Sequence, residues 1–195
     1  MSIYGFNIPP NDSQFGPICW QMGLSDKQCD LILDSYKDVP GEMGGVVISD
    51  TSERDDKAIR NVLVKHIKLN DMGWLYDEMY KYVNEANNEF FKYHLIGFYE
   101  SMQLLHYGQD INGGHYDWHR DCGPGISTRK LTAIVQLTDP KKYEGCQVEL
   151  FLEGPICKTR GSITIFPSYA PHRVTPLTTG YRDSLVMWVN GPSFR

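Results

Sequence analysis

From Gly97 to the C-terminus the chain is a succession of short β-prone runs with glycine or proline at nearly every junction, and this punctuation restricts the fold more than any other feature. The runs fall near residues 98–107, 115–119, 131–137, 148–152, 156–159, 162–166, 172–175 and 182–190. Eight short strands joined by such turns point to a sandwich or barrel, and that number suits a jelly roll, whose two sheets can hold a ligand between them. The first half reads differently. Residues 1–15 are expected to be an irregular arm leading into a short strand at Ile18 to Trp20. Ser25 and Gln28 have the spacing of a capping box, and Leu31, Ile32 and Tyr36 follow on one side of a helix that ends before Pro40. Val46 to Ile48 is expected to be a strand, and Asn61 to Ile67 another, with Val62, Val64 and His66 on one face. From Met72 to Tyr93 the period is helical, since Leu75, Met79, Val83, Ala86 and Phe90 recur at steps of three or four. The fold class is therefore α+β, mainly β, with helices buttressing one sheet. At 195 residues the chain can bury a core as one domain, with 1–97 as a mostly helical support region and 98–195 as the jelly-roll core.

Within the strand region, Gly113 to Asp121 reads GGHYDWHRD and sets a histidine and an aspartate two residues apart twice. Residues i and i+2 of a strand share a face, so His119 and Asp121 can offer an imidazole nitrogen and a carboxylate oxygen to one point. A second histidine would complete a two-nitrogen, one-carboxylate face on an octahedral ion, a donor set that suits non-haem iron(II) and leaves positions open. His172, at the start of a Pro-bounded strand, is the candidate. A glycine is then expected to turn the chain so that Arg182 begins the next strand, where its guanidinium fork can receive a carboxylate. Iron plus a carboxylate anchor suggests a keto-acid cosubstrate. His115 and Asp117 have the same parity as His119 and Asp121, so periodicity alone leaves both pairs open.

The charge balance narrows the partners. The formal net charge is −5 and no long run of Lys or Arg exists, so a nucleic-acid partner is not expected. Five cysteines, Cys19, Cys29, Cys122, Cys146 and Cys157, are odd in number and lack C-x-x-C spacing, which points to free thiols in a reducing compartment. No apolar run approaches the length of a membrane span and the N-terminus has no signal-peptide pattern, so a cytoplasmic protein is expected.

Three segments, YGQDINGGHYDWHRD, KLTAIVQLTDPKKYEGCQVEL and FPSYAPHRVTPLTTGYRDSLVMWVNGPSFR, together resemble the iron(II)- and 2-oxoglutarate-dependent dioxygenases of the prolyl 4-hydroxylase-like branch. The resemblance is strongest over 98–195 and implies a double-stranded β-helix, the cupin-like form of the jelly roll. It implies His119, Asp121 and His172 as iron ligands, because the family pattern places them at the second His-x-Asp pair. It implies Arg182 as the cation for the distal carboxylate of 2-oxoglutarate. Ser184 shares a strand face with Arg182 and can add a hydrogen bond to the same carboxylate, Tyr107 matches a cosubstrate-pocket position, and Gln136 stands where some relatives have a cosubstrate-binding tyrosine. Tyr116, Arg129 and Trp188 match positions lining the prime-substrate pocket. Strict alternation, however, puts Tyr116 opposite the ligands, so it lines the pocket only if its strand contains a bulge.

The implied activity is a hydroxylase that couples oxidative decarboxylation of 2-oxoglutarate, with release of succinate and carbon dioxide, to attack on an unactivated C–H bond. Iron(II), 2-oxoglutarate and dioxygen are required, with ascorbate as a reductant. A prolyl residue in a peptide or protein is the family's best-known target; a free amino acid or other small molecule is the alternative. Halogenation would need an iron position open to chloride, which Asp121 fills. A different class, a non-catalytic jelly-roll metal- or ligand-binding module, would not need all four groups at this spacing.

Overall fold

The computed structural model describes residues 16–49, 52–54 and 57–194; the arm expected over residues 1–15 lies outside them. The elements in chain order are Ile18–Trp20 (β1), Asp26–Tyr36 (α1), Glu42–Met43 (β2), Val46–Ser49 (β3), Ser52–Arg54 (β4), Arg60–Asn61 (β5), Leu63–Ile67 (β6), Gly73–Ala86 (α2), Met102–Gly108 (β7), His115–His119 (β8), Arg129–Gln136 (β9), Tyr143–Gly145 (β10), Val148–Leu150 (β11), Gly154–Pro155 (β12), Ile163–Pro167 (β13), His172–Val174 (β14) and Leu177–Asn190 (β15). All pairings are antiparallel. The major sheet has eight strands, in the order β1-β13-β9-β15-β7-β6-β2 with β10 added beside β15. The minor sheet runs β12-β11-β14-β8-β5, and β3 and β4 form a separate hairpin. This is the jelly roll, with strands β2 and β6 from the first half hydrogen-bonded into its major sheet.

Two cores follow from strand alternation. Leu131, Ala133 and Val135 of β9, with Leu185, Met187 and Val189 of β15, meet Leu75, Met79, Val83 and Ala86 of α2 and Ile32 of α1. The opposite face of the same strands presents Ile134, Val186 and Trp188 to Val148, Leu150 and Val174 of the minor sheet. Strand β9 is consequently buried at every position, covered by helices on one side and by a sheet on the other.

The capping box at the start of α1 is formed, with Gln28 N–H donating to Ser25 Oγ at 3.3 Å and Ser25 N–H to Gln28 Oε1 at 2.9 Å. Leu31, expected on the buried side, is exposed, and Cys29 packs inward with Ile32 and Tyr36 instead. His66 is also exposed, whereas Val62 and Val64 are buried. The long helical period continues past α2 in a π turn over Asn87–Phe91, closed by Lys92 N–H to Asn87 O at 2.8 Å. That wider turn advances the stripe by one residue, so Phe91 (1% exposed) fills the core rather than Phe90 (39%).

Two strand expectations are corrected. Gly180 does not turn the chain: β15 runs unbroken from Leu177 to Asn190, so Arg182 lies inside a strand rather than at its start. Gly180 has φ +77°, and a Cβ there would lie 1.9 Å from Lys142 O, so the position serves the close approach of β10, where Tyr143 pairs with Gly180. Residues 156–159 are not a strand; the short partner of β11 is Gly154–Pro155. All five cysteines are unpaired. Among the described residues, no helix is long and apolar enough to cross a membrane.

Candidate metal centre

Antiparallel pairing of β14 with β8 sets His172 directly opposite His119, and Asp121 follows two residues after the end of β8. The potential donor atoms of His119, Asp121 and His172 all lie within 4.8 Å of one another. His119 Nε2 is 3.7 Å from Asp121 Oδ1, and His172 Nε2 is 3.4 Å from Asp121 Oδ2. Donors bound side by side to an ion at about 2.1 Å are separated by roughly 3 Å, so modest contraction around a metal would suffice.

The backbone settles which imidazole nitrogens face the cluster. His119 Nδ1 is 2.8 Å from Asp117 O, and His172 Nδ1 is 3.0 Å from Ala170 O. A carbonyl can only accept, so each Nδ1 carries the proton and each Nε2 keeps a lone pair for an ion. Asp121 is fixed in turn: its backbone N–H donates to Ser168 O at 2.9 Å, and its Oδ2 accepts from Thr132 Oγ1 at 2.8 Å. Thr132 Oγ1 also lies 3.0 Å from Ser168 Oγ.

Burial, reinforced by the neighbouring His172, pushes the His119 imidazole down to about 3 and keeps it neutral. For Asp121 burial acts in the opposite sense, but His172, His119 and Arg129 outweigh it and hold the carboxyl below its ordinary value. The indole N–H of Trp188 adds to that effect without meeting hydrogen-bond geometry. A neutral His119 and an ionised Asp121, with His172 Nε2 turned toward the same carboxylate, form a donor set ready for a divalent cation.

A narrow cleft lies beside the cluster. Of the residues singled out in the sequence, Tyr107, Tyr116, Arg182, Ser184 and Trp188 line it with the three cluster residues. Alternation along β15 places Arg182, Ser184, Val186 and Trp188 on the cleft face. Arg182 is 2% exposed and is the largest fully buried side chain among the described residues. Its Nε donates to Gln136 Oε1 at 3.0 Å, its Cζ stands 5.4 Å from the Tyr107 ring centroid, and its Nη2 has no hydrogen-bond partner. Burial disfavours the guanidinium charge, yet Cys146, Tyr107 and Tyr143 hold its pKa above the ordinary arginine value. The same burial raises the Tyr107 phenol, which stays neutral. A buried guanidinium with an unpaired N–H and no carboxylate beside it among the described residues is a receptor for an anion.

Tyr116 reaches the cleft because β8 is bulged. His119 pairs with His172 but Tyr116 pairs with Val174, three residues against two, and this brings Tyr116 to the ligand side. Its ring stacks on His119 at 3.4 Å between centroids. The other His-x-Asp pair is elsewhere: His115 Nε2 lies 3.0 Å from Ala58 O, and the Asp117 carboxylate accepts from Trp118 N–H.

Two expected residues do not line the cleft. Gln136 meets it only through Arg182. Arg129 is turned away, with Nε 2.8 Å from Glu100 Oε1, a second bond from Nη2 to the same carboxylate, and Cζ 3.6 Å from the Trp188 ring centroid. The cleft instead gains Arg60, from β5, which carries no local motif that would single it out. Thr132 and Ser168 were equally invisible in the sequence, because their relation to Asp121 exists only across strands.

Residues 102–190 match the profile of the family described as the 2OG-Fe(II) oxygenase superfamily. A PKHD-type hydroxylase from Teredinibacter turnerae is 31% identical over 87 residues, which cover 40% of this chain and 38% of that protein. A PKHD-type hydroxylase from Shewanella oneidensis is also 31% identical, over 98 residues, covering 48% of this chain and 44% of that protein. The matched stretch thus spans about two fifths of the length of these curated relatives. Among solved structures, a Pseudomonas putida prolyl-4-hydroxylase superposes with a TM-score of 0.70 at 17% identity, covering 90% of this chain and 92% of that one. A Trichoplax adhaerens prolyl hydroxylase, in complex with a hypoxia inducible factor oxygen degradation domain peptide fragment, gives 0.74 at 17% identity, covering 90% and 84%. At such identities the likeness is one of fold.

Proposed function

We propose that this chain, whose residues 102–190 belong to the 2OG-Fe(II) oxygenase superfamily, acts as a single-domain iron(II)- and 2-oxoglutarate-dependent hydroxylase. The observation that carries the reading is one cleft holding both a His–Asp–His cluster with its Nε2 atoms free and a buried guanidinium with an unpaired N–H. In this reading His119 Nε2, one Asp121 oxygen and His172 Nε2 would hold the ion, while Thr132, itself in contact with the Ser168 hydroxyl, keeps the carboxylate from rotating. Arg182 takes the distal carboxylate of 2-oxoglutarate and Ser184 adds a hydroxyl donor. Gln136 orients the guanidinium and Tyr107 forms the adjoining wall. Iron and 2-oxoglutarate, when bound, supply the oxidation, with succinate and carbon dioxide released and a substrate C–H bond hydroxylated. Leu105, Ile134, Val148 and Val186 make the remaining walls apolar, which limits water around the reacting atoms.

A prolyl residue in a peptide is the proposed target, supported by the peptide-bound Trichoplax adhaerens neighbour of the same fold. Tyr116 and Trp188 would flank it. Ascorbate would serve as reductant and a reducing, cytoplasmic setting would suit the five free thiols. The test is succinate release from 2-oxoglutarate under iron(II), screened with prolyl peptides against free amino acids and combined with anaerobic 2-oxoglutarate titration. Metal binding without any 2-oxoglutarate binding would leave a jelly-roll binding module instead.

A further inference from the structure

We infer that Arg60 anchors a carboxylate group of the prime substrate; the inference rests on the dioxygenase reading and adds to it the charge class of the compound oxidised. Arg60 pairs with Tyr116 across β5 and β8, and its Cζ lies 4.9 Å from the Tyr116 ring centroid. Tyr116 in turn stacks on His119, so this guanidinium stands one aromatic ring away from a metal ligand and lines the same cleft. It is held there by neutral acceptors: Nη1 donates to Gly45 O at 2.7 Å and Nη2 to Gln103 Oε1 at 3.3 Å. Gly44 leaves the passage open, since a Cβ at that position would lie 2.9 Å from Arg60 Cζ. Nε is buried with no hydrogen-bond partner. The charge is thus positioned but not neutralised by any carboxylate among the described residues.

Arg129, the arginine expected to meet substrate, differs in this respect because the Glu100 carboxylate already pairs with its Nε and Nη2. The charge balance points the same way. The single charge of Asp121 and the two of 2-oxoglutarate match a divalent ion and Arg182, and among the described residues the charge of Arg60 is left over. A cation enclosed by substrate without a counter-charge is costly, and a substrate carboxylate would remove that cost. A free amino acid supplies such a group, and so does a peptide with an acidic residue or a free C-terminus beside the hydroxylated position.

The experiment is anaerobic calorimetry on protein loaded with zinc(II) and 2-oxoglutarate, using matched probes. One arm compares the common L-amino acids, proline included, with their amides. The other compares short proline peptides carrying glutamate or glutamine next to proline, and free or amidated C-termini. For the wild type, carboxylate forms should bind in preference to their neutral counterparts, and the arm in which this occurs identifies the source of the group. Arg60→Gln should weaken the carboxylate form by roughly thirtyfold or more while leaving the neutral form, zinc and 2-oxoglutarate unchanged. Arg60→Lys, which keeps the charge, should restore part of the preference and also guards against a folding defect in the glutamine variant. A wild type with no carboxylate preference in either arm overturns the inference, as does an Arg60→Gln variant that loses acid and amide forms equally. Failure of 2-oxoglutarate to bind at all would instead remove the dioxygenase reading, so the two failures are distinguishable.

Discussion

Replacing Arg182 separates the cosubstrate's anchor from the metal site. The side chain is 2% exposed, its Nε donates to Gln136, and among the described residues Nη2 is unpaired. A carboxylate bound there would gain a charge-assisted fork, and losing one partner of such a buried pair costs about 2–5 kcal/mol. Arg182→Ala should therefore weaken 2-oxoglutarate by about one and a half to nearly four decades, with metal affinity close to normal. Arg182→Lys should recover only part of this, because the ammonium lacks the planar pair of donors. Arg182→Met adds a second readout. A buried charge with an unsatisfied N–H is a burden on the empty protein, and an apolar replacement of similar length is often neutral or stabilising by about 1–4 kcal/mol. The methionine variant should thus melt at or above the wild-type temperature without cosubstrate, but should not gain from 2-oxoglutarate as the wild type does. Thermal unfolding with and without 2-oxoglutarate, together with anaerobic titration of metal-loaded protein, measures both effects. Unchanged 2-oxoglutarate affinity in a folded Arg182→Ala protein would refute the anchor role.

His119→Ala or Asp121→Ala should abolish metal retention and coupled turnover, whereas His115→Ala, which loses a contact with Ala58 O, should keep both; metal analysis and succinate release decide, and the reverse pattern would reassign the pair. Thr132→Val removes the hydroxyl on Asp121 Oδ2 and should weaken metal binding by about 10–100-fold in competition with a chelator, while an unchanged constant would show that this hydroxyl does not orient the carboxylate. His106 lies between Asp183 (Nδ1–Oδ1 2.7 Å) and Asp110 (Nε2–Oδ1 3.0 Å), and mainly the Asp183 bond raises its pKa to about 9. Because the folded value is the higher one, its stabilisation is fully present below the unfolded value of about 6.5 and is lost as pH rises through about 9. Melting temperature should fall across that window, and His106→Gln should flatten the fall.

What could be read from sequence was whatever depends on neighbours along the chain. Glycine and proline spacing marked most of the strands because turn backbones restrict residue type locally. Ser25 and Gln28 signalled the start of α1 because a capping box closes within one helical turn. The apolar steps from Leu75 to Ala86 gave the buried face of α2 until the π turn changed the period. The His119–Asp121 pair was visible as a spacing, but its choice over His115–Asp117 needed the family pattern, since both pairs have the same parity.

What the tertiary structure alone decided depends on strands meeting across long separations. Tyr116 faces the cleft because the bulge opposite β14 reverses its side, and no local residue pattern distinguishes it from a regular strand position. Gly180 looked like a turn but serves the approach of β10, a contact made 37 residues away at Tyr143. Arg129 lies outside the cleft and Arg60 lines it for the same reason. Glu100 takes the charge of one, while among the described residues glycine and glutamine oxygens hold the other, and an arginine's availability is set by the groups that fold against it rather than by its own position in the chain.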